Sequence, residues 1–270
     1  MKHTFALLIT LLLVPQALRA SELTLTSPLD FQVVQRATPG KGLLRIVGEL
    51  AEDVPAADTA IEARLLGEQL ESSWLRVGGS VSGRKLAGTV EAPAGGWWRL
   101  EVRVSRAGQE VARGSVPHVG IGEVFVIAGQ SNSANHGEEK QSPNTDRVVA
   151  FDGKAWRLAA DPQPGASGSG GSFIPPFADA VVAKENVPVG IGACGIGATS
   201  VREWLPKGAT FPNPPTLEGR VQGLPSGQWA SKGNAYAMFV ARMKAVGPHG
   251  FRAVLWHQGE SDANQKDPTR

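Results

Sequence analysis

Val124-Phe125-Val126-Ile127-Ala128-Gly129-Gln130-Ser131-Asn132 is an unbroken apolar run that stops at a glycine and passes straight into polar residues. A strand with no polar position has no face for water, so it belongs inside a parallel sheet covered on both sides. Val187 to Ala193 and Ala253 to Trp256 are runs of the same kind. Between them Tyr236, Phe239, Val240 and Met243 fall at i, i+3, i+4 and i+7, one face of a helix, with Asn234 as N-cap and Gly247-Pro248 as stop. Strands alternating with helices predict an α/β domain over residues 118–270. Gly165 to Ser172 and Pro206 to Gln228 fit neither pattern, and loops of that length in a compact domain are usually functional or mobile.

Upstream of Pro117 the grammar differs. Trp98, Leu100, Val102 and Val104 alternate with Arg99, Glu101 and Arg103, as a strand with one buried face requires, and Ala107-Gly108 supplies a turn into Val111. Similar runs at Leu43 to Val47, Ile61 to Leu65 and Leu86 to Val90 recur at sandwich spacing. Residues 21–117 are therefore expected to form a small immunoglobulin-like β-sandwich ahead of the α/β domain.

Residues 1–20 combine Lys2 and His3, an apolar run from Phe5 to Val14, and small Ala17 and Ala20, the pattern of a secretory signal peptide cleaved near Ala20. The run is about half of the roughly 20 residues that span a bilayer. A secreted or periplasmic protein is expected, and no other segment is apolar enough to enter a membrane. Without Lys2 and Arg19 the bases and acids balance at 25 each, which argues against nucleic acid as a partner. Cys194, the single cysteine, excludes an internal disulfide and reads as a small buried hydrophobe. Oligomeric state is not encoded in any pattern.

Ligands of open α/β sheets bind beyond the carboxyl ends of the strands, so the residues after each apolar run bear on function. The first exit is Gly129-Gln130-Ser131-Asn132-Ser133. A sharp turn there projects a serine hydroxyl over the sheet edge beside backbone N–H groups, an arrangement that suits a nucleophile; taken alone, the Ser-Asn pair also reads as a helix cap or turn. The second is Cys194-Gly195-Ile196-Gly197-Ala198-Thr199-Ser200, leading to Arg202-Glu203-Trp204, where glycines let backbone approach a ligand or simply make a tight loop. Arg202 and Trp204 read equally as pocket members or as loop packing. The third is Trp256-His257-Gln258-Gly259-Glu260-Ser261-Asp262, a polar cluster that marks either a structural network or a site.

In order and content the three exits resemble the SGNH hydrolase superfamily, and more narrowly carbohydrate esterases that include sialate O-acetylesterases and acetylxylan esterases. The resemblance is carried by Gly122-Glu123-Val124 running into Gly129-Gln130-Ser131-Asn132, by Pro188-Val189-Gly190 through Gly197-Ala198-Thr199-Ser200 to Trp204, and by His257-Gln258-Gly259-Glu260. It covers roughly residues 118–270, and Asp30 to Arg36 with the sandwich is similar to a module that some sialate esterases carry. The resemblance implies a flavodoxin-like three-layer domain with a parallel sheet. It implies removal of O-acetyl groups from carbohydrates through an acyl-enzyme on Ser131, with no metal or cofactor. It makes Ser131 N–H and Gly197 N–H oxyanion donors, puts Gln258 in the place of a third donor, and makes Glu260 a candidate for the acid that orients the base; Asn132, Arg202 and Trp204 become candidate substrate contacts. Ala198 stands where a second glycine is commoner.

The family also uses a base histidine in an Asp-x-x-His segment, which this sequence does not contain. His136 is near Ser131 but lies where the family has no base, and His257 reads as structural. The reading is of a chain whose C-terminal part and base histidine lie beyond Arg270, so that Ser131 is placed but largely unactivated. Two alternatives stay open: a catalytically inactive carbohydrate-binding or scaffold protein, and an SGNH lipase or thioesterase. Nothing in the residues separates sialic acid from xylan or another acetylated glycan.

Overall fold

The computed structural model describes residues 20–263 except 69, 216 and 248, and every statement below concerns those residues. The leader reading and the Lys266 to Arg270 tail fall outside them. The fold is mixed α/β and dominated by sheet. Its front half comprises β1 (Ser21–Ser27), β2 (Gln32–Thr38), β3 (Lys41–Val54), β4 (Thr59–Gly67), the short β5 (Leu70–Glu71) and β6 (Leu75–Arg76), β7 (Gly78–Pro93), β8 (Gly95–Arg106) and the start of β9 (Gln109–Gly129). The rear half holds β10 (Val148–Phe151), β11 (Trp156–Leu158), α1 (Ile174–Glu185), β12 (Val189–Ala193), β13 (Thr210–Phe211), β14 (Val221–Gly223), β15 (Trp229–Ser231), α2 (Asn234–Ala245), β16 (Ala253–His257) and α3 (Glu260–Ala263).

In the front half β3 pairs antiparallel with β1, β2 and β7, while β4 pairs with β8 and β8 with β9. Period-two alternation gives each sheet one apolar face. Leu44, Ile46, Leu50 and Leu86 from the first set meet Ile61, Leu65, Leu100, Val102 and Val104 from the second in one core. The four strand runs expected here all lie within strands, and Ala107 and Gly108 form the two-residue turn between β8 and β9 with φ of +48° and +79°.

β9 is a single strand of 21 residues, and Pro117, the expected boundary, lies inside it. Pairing between β8 and β9 shifts register between Leu100↔Val116 and Trp98↔Val119, so Pro117 occupies an irregularity where its missing N–H interrupts no ladder bond. Beyond it β9 runs parallel to β2, then becomes the centre of a parallel sheet between β12 and β16, with β10 beyond β12 and β11 antiparallel at the edge. Phe125 and Ile127 face Ile174, Ala178 and Val182 of α1. Val126 and Ala128 face the other way, toward Ala235, Met238, Phe239 and Met243 of α2. Both faces are covered, which is why the sequence of this stretch shows no alternation.

The contacting face of α2 keeps Phe239 and Met243 of the expected set but is rotated toward Ala235 and Met238. Tyr236 is exposed, and the face in contact is Ala235, Met238, Phe239 and Met243. The N-cap is Gly233 at φ +72°, with Asn234 the first helical residue, because a β-carbon at 233 would lie 2.7 Å from the backbone nitrogen of Lys207. Strand neighbours of β9 on its two sides, β12 and β16, are joined by a connection that crosses over β9, so a switch point opens at its carboxyl end.

Where the parallel-sheet part of β9 begins, the two halves are tied by a buried carboxylate. Glu123 accepts hydrogen bonds from Arg36 Nε at 2.6 Å, Gln35 Nε2 at 3.0 Å and Arg252 Nε at 2.7 Å, and Arg36 Nη2 reaches Glu185 at 2.6 Å. Burial pushes the Glu123 carboxyl up, but the bonds from Arg252, Gln35 and Arg36 outweigh it and hold it below the ordinary carboxylate value. A cleft of about 830 Å³ lies beside this tie, lined in part by Arg36, Arg45, Trp156 and Phe251. It is at the amino-terminal edge of the parallel sheet, away from the strand exits.

Candidate active site

The turn after β9 is forced by crowding. Gly129 has φ +118°, and a β-carbon there would lie 1.9 Å from the carbonyl oxygen of His257, so only glycine lets β16 approach this closely. Gln130 N–H then donates to the same His257 carbonyl at 2.7 Å. Ser131 follows with φ +45°, in the left-handed region that a serine adopts only when its surroundings impose it. It opens a 3₁₀ turn, Ser131–Ser133, and its carbonyl accepts from Ala134 N at 2.8 Å and His136 N at 3.2 Å. Ser131 Oγ is half-buried and its hydrogen-bond partner is Gln130 Nε2 at 3.4 Å. Asn132 is exposed; its carbonyl accepts from Phe173 N at 3.2 Å.

The second exit is seated against the first. Ile196 N donates to Gly129 O at 2.8 Å, and a β-carbon at Gly195 would lie 2.4 Å from Ser133 O. Gly197 comes next, with its N–H donated to Ser167 Oγ at 2.8 Å and its carbonyl accepting from Arg220 Nη1 at 2.8 Å. The ring of His136 lies over it: a β-carbon at 197 would be 2.2 Å from Nε2. Ser200 and Glu203 close a capping box on the following turn, Val201–Trp204. Burial raises the Glu203 carboxyl against its bonds from Ser200, and Arg220 Nη1 stands 3.7 Å from its other oxygen. Cys194 is fully buried, and burial pushes its thiol up to about 12, which leaves no thiolate at neutral pH.

Arg202 and Trp204 fall in the packing of this loop. Arg202 is 8 % exposed with Nη1 3.5 Å from Asp262 Oδ1. Trp204 donates to Thr199 Oγ1 at 2.9 Å and meets Phe239 and Trp256 edge-on, with centroids 6.3 and 4.9 Å away. Gln258 turns its amide toward Thr199 O at 3.2 Å, Gln130 Oε1 at 3.4 Å and Asp262 Oδ2. Glu260 is half-exposed and stands 3.7 Å from His257 Nδ1. Of the expected site residues, the structure thus seats Ser131 and Gly197 on adjoining turns, uses Gln258 to brace the turns from behind, and leaves Glu260 beside His257. Among the described residues no three His, Cys, Asp or Glu side chains gather into a set that could hold a metal ion.

A family model described as carbohydrate esterase, sialic acid-specific acetylesterase, matches residues 121–270. The chain belongs to that family. The matched span begins just ahead of Glu123 and takes in all three exits. Among solved structures the chain is similar to a carbohydrate acetylesterase from Xanthomonas citri, at 18 % identity and TM-score 0.44, over 88 % of this chain and 51 % of that one. It is also similar to a β-glucosidase from Kluyveromyces marxianus in complex with glucose, at 10 % identity and TM-score 0.17, over 36 % of this chain and 14 % of that one. The chain spans about half the length of the first structure. No curated protein matches it.

Several residues that shape the turns of this family member were not singled out from sequence. Gln130 is buried, and its Oε1 accepts from Ser261 N at 3.1 Å, linking the first exit to the third. Asp262 accepts from Val201 N at 3.1 Å and from Gln258, linking the second to the third. Its place in the polar cluster His257 to Asp262 was the available signal. Ser167 and Arg220 come from the two unassigned loops, and no local pattern could have pointed to them.

Proposed function

We propose that the chain is a serine esterase that removes O-acetyl groups from carbohydrates, with acetylated sialic acids as the substrate class that its family description favours. The observation that carries the reading is Ser131 held at φ +45° over the carboxyl end of the central strand, with the Gly197 amide on the adjoining turn. Backbone strain at a polar residue over a switch point is the mark of a group fixed for chemistry. In the proposed reaction Ser131 Oγ adds to the acetyl carbonyl while its proton passes to a base. The carbonyl oxygen gathers negative charge toward the N–H groups of Ser131 and Gly197, and the sugar hydroxyl leaves with a proton. Water then releases acetate and restores the serine. His257 with Glu260 at 3.7 Å is the histidine–carboxylate pair at this end of the sheet, and Glu260 keeps its candidacy as an orienting acid. Export after cleavage near Ala20, an immunoglobulin-like module over 21–117 and an SGNH-type domain from 118 belong to the same reading.

Treatment of the full-length protein with a fluorophosphonate probe, followed by peptide mass spectrometry, tests it. Labelling at Ser131 that disappears in Ser131→Ala is expected; labelling that survives the substitution removes Ser131 from the mechanism. A second reading, a carbohydrate-binding protein without catalysis, is favoured by one fact: in the described residues the hydrogen-bond partner of Ser131 Oγ is an amide, Gln130 Nε2, not a base. Glycan binding by a folded protein that the probe does not label would select it.

A further inference from the structure

Gly165 to Ser172, unassignable from sequence, is not a slack loop. Ser167 N donates to Gly195 O at 3.0 Å, Gly168 N to Ala134 O at 2.9 Å and Gly170 N to Asn135 O at 2.7 Å, while Gly137 and Gly171 exchange two backbone bonds of 2.8 Å. A β-carbon at Gly168 would lie 2.2 Å from Asn135 O, and one at Gly171 would lie 1.7 Å from Glu139 O. The backbone is therefore pressed onto the segment that follows Ser131 and cannot move without breaking several bonds together.

What this fixed backbone presents is the side chain of Ser167. Its oxygen accepts the Gly197 N–H at 2.8 Å and lies 3.3 Å from His136 Nε2. His136 borders both turns, since its ring covers Gly197 and its own N–H donates to Ser131 O at 3.2 Å. The amide read as the second oxyanion donor is thus already occupied by a neutral oxygen. That oxygen sits on an exposed side chain with one rotatable heavy-atom bond, free to exchange among staggered wells.

We propose that Ser167 is a positioning residue of the acyl site. Its hydroxyl oxygen stands where the carbonyl oxygen of an incoming ester is received, and it must rotate off the Gly197 N–H for an ester to bind. This rests on the reading of Gly197 as an oxyanion donor. The physical consequence is selective. A neutral ester carbonyl gains little by replacing a neutral hydroxyl, because one ordinary hydrogen bond is exchanged for another. A developing oxyanion gains more, because hydrogen bonds to charged acceptors are roughly twice as strong. The exchange therefore holds back ground-state binding of the carbonyl while the oxyanion still gains the donor.

Acetate, the carboxylate that the proposed reaction releases, is the probe. The Gly197 amide of the ¹⁵N-labelled full chain is followed by NMR during acetate titration of wild type, Ser167→Ala and Ser167→Thr. Ser167→Ala is expected to move the Gly197 amide before any acetate is added and to lower the acetate midpoint about five-fold, the factor carried by one net hydrogen bond. Ser167→Thr, which keeps the hydroxyl, is expected to stay near wild type. An unmoved Gly197 amide, or a midpoint in Ser167→Ala equal to or above wild type, overturns the proposal. Fluorophosphonate labelling of the same samples separates the two readings. If Ser131 labels while the acetate midpoint is unchanged, the role of Ser167 falls and the esterase stands. If labelling survives Ser131→Ala, the esterase falls, and the Gly197 amide still decides whether Ser167 holds that donor against anions.

Discussion

β9 meets two different demands along its length. From Gln109 to Val116 it has one buried face, with Ala112 and Val116 inside and Arg113 and Ser115 outside. From Val119 to Gly129 every residue is buried. The first part is open at its turn, where a β-carbon on Gly108 would meet nothing within 4 Å, although one on Gly114 would lie 2.1 Å from the Leu23 carbonyl oxygen. In the second, sheet neighbours stand on either side and helices cover the part that ends at Gly129, so that a β-carbon at Gly122 or Gly129 would have to displace backbone. The same strand is therefore forgiving at one end and intolerant at the other, and the candidate nucleophile follows the intolerant end.

Gly129→Ala should show the intolerance most strongly. The new β-carbon meets the His257 carbonyl at 1.9 Å on a residue held at φ +118°, and a loss above about 4 kcal/mol is expected, most of the stability of a marginal domain. Soluble yield and far-UV circular dichroism check it; a folded, stable variant would mean that β16 does not press on this turn. Next comes Glu123→Ala, which takes from buried Arg36 one of its two carboxylate partners and leaves Glu185, and is expected to lose about 3 kcal/mol in urea denaturation. Because the folded pKa of Glu123 is lowered, its stabilisation is present above the unfolded carboxylate pKa and fades as pH falls through the folded one. The deficit of Glu123→Gln relative to wild type should therefore shrink in acid, and a gap that widened there would contradict the assignment.

At the forgiving end Gly108→Ala meets nothing within 4 Å, so only its positive φ is penalised, at about 1 kcal/mol. A melting curve that places it near Gly129→Ala would erase the contrast between the two ends. The smallest effect has the opposite sign. Ser131→Gly relieves a left-handed serine and should raise stability by about 0.5–1 kcal/mol while abolishing probe labelling. A stability loss would show that Ser131 is not strained.

The strands of both halves were legible because burial on one face or on two leaves a period in the residues, as in Trp98 to Val104 against Val124 to Ala128. α2 was legible as a helix but not in its orientation. Tyr236 and Met238 are both apolar enough to face inward, and the choice between them depends on tertiary contacts such as the close approach of Lys207 to Gly233. The turns that carry Ser131 and Gly197 could be read from the glycines that end each apolar run. The groups that complete their surroundings could not: Ser167 lies 36 residues beyond Ser131 and reaches Gly197 through an interval of 30, and such contacts follow from the packing of whole elements.

β9 passes from one sheet to the other without a break, so there is no linker between the halves for a protease to cut or for a hinge to bend. Rigid-body closure of one half on the other would have to shear ladder bonds on both flanks of a central strand. Within the described residues, approach to Ser131 without such shearing is left to side chains and surface loops, whose motions run on nanoseconds to microseconds.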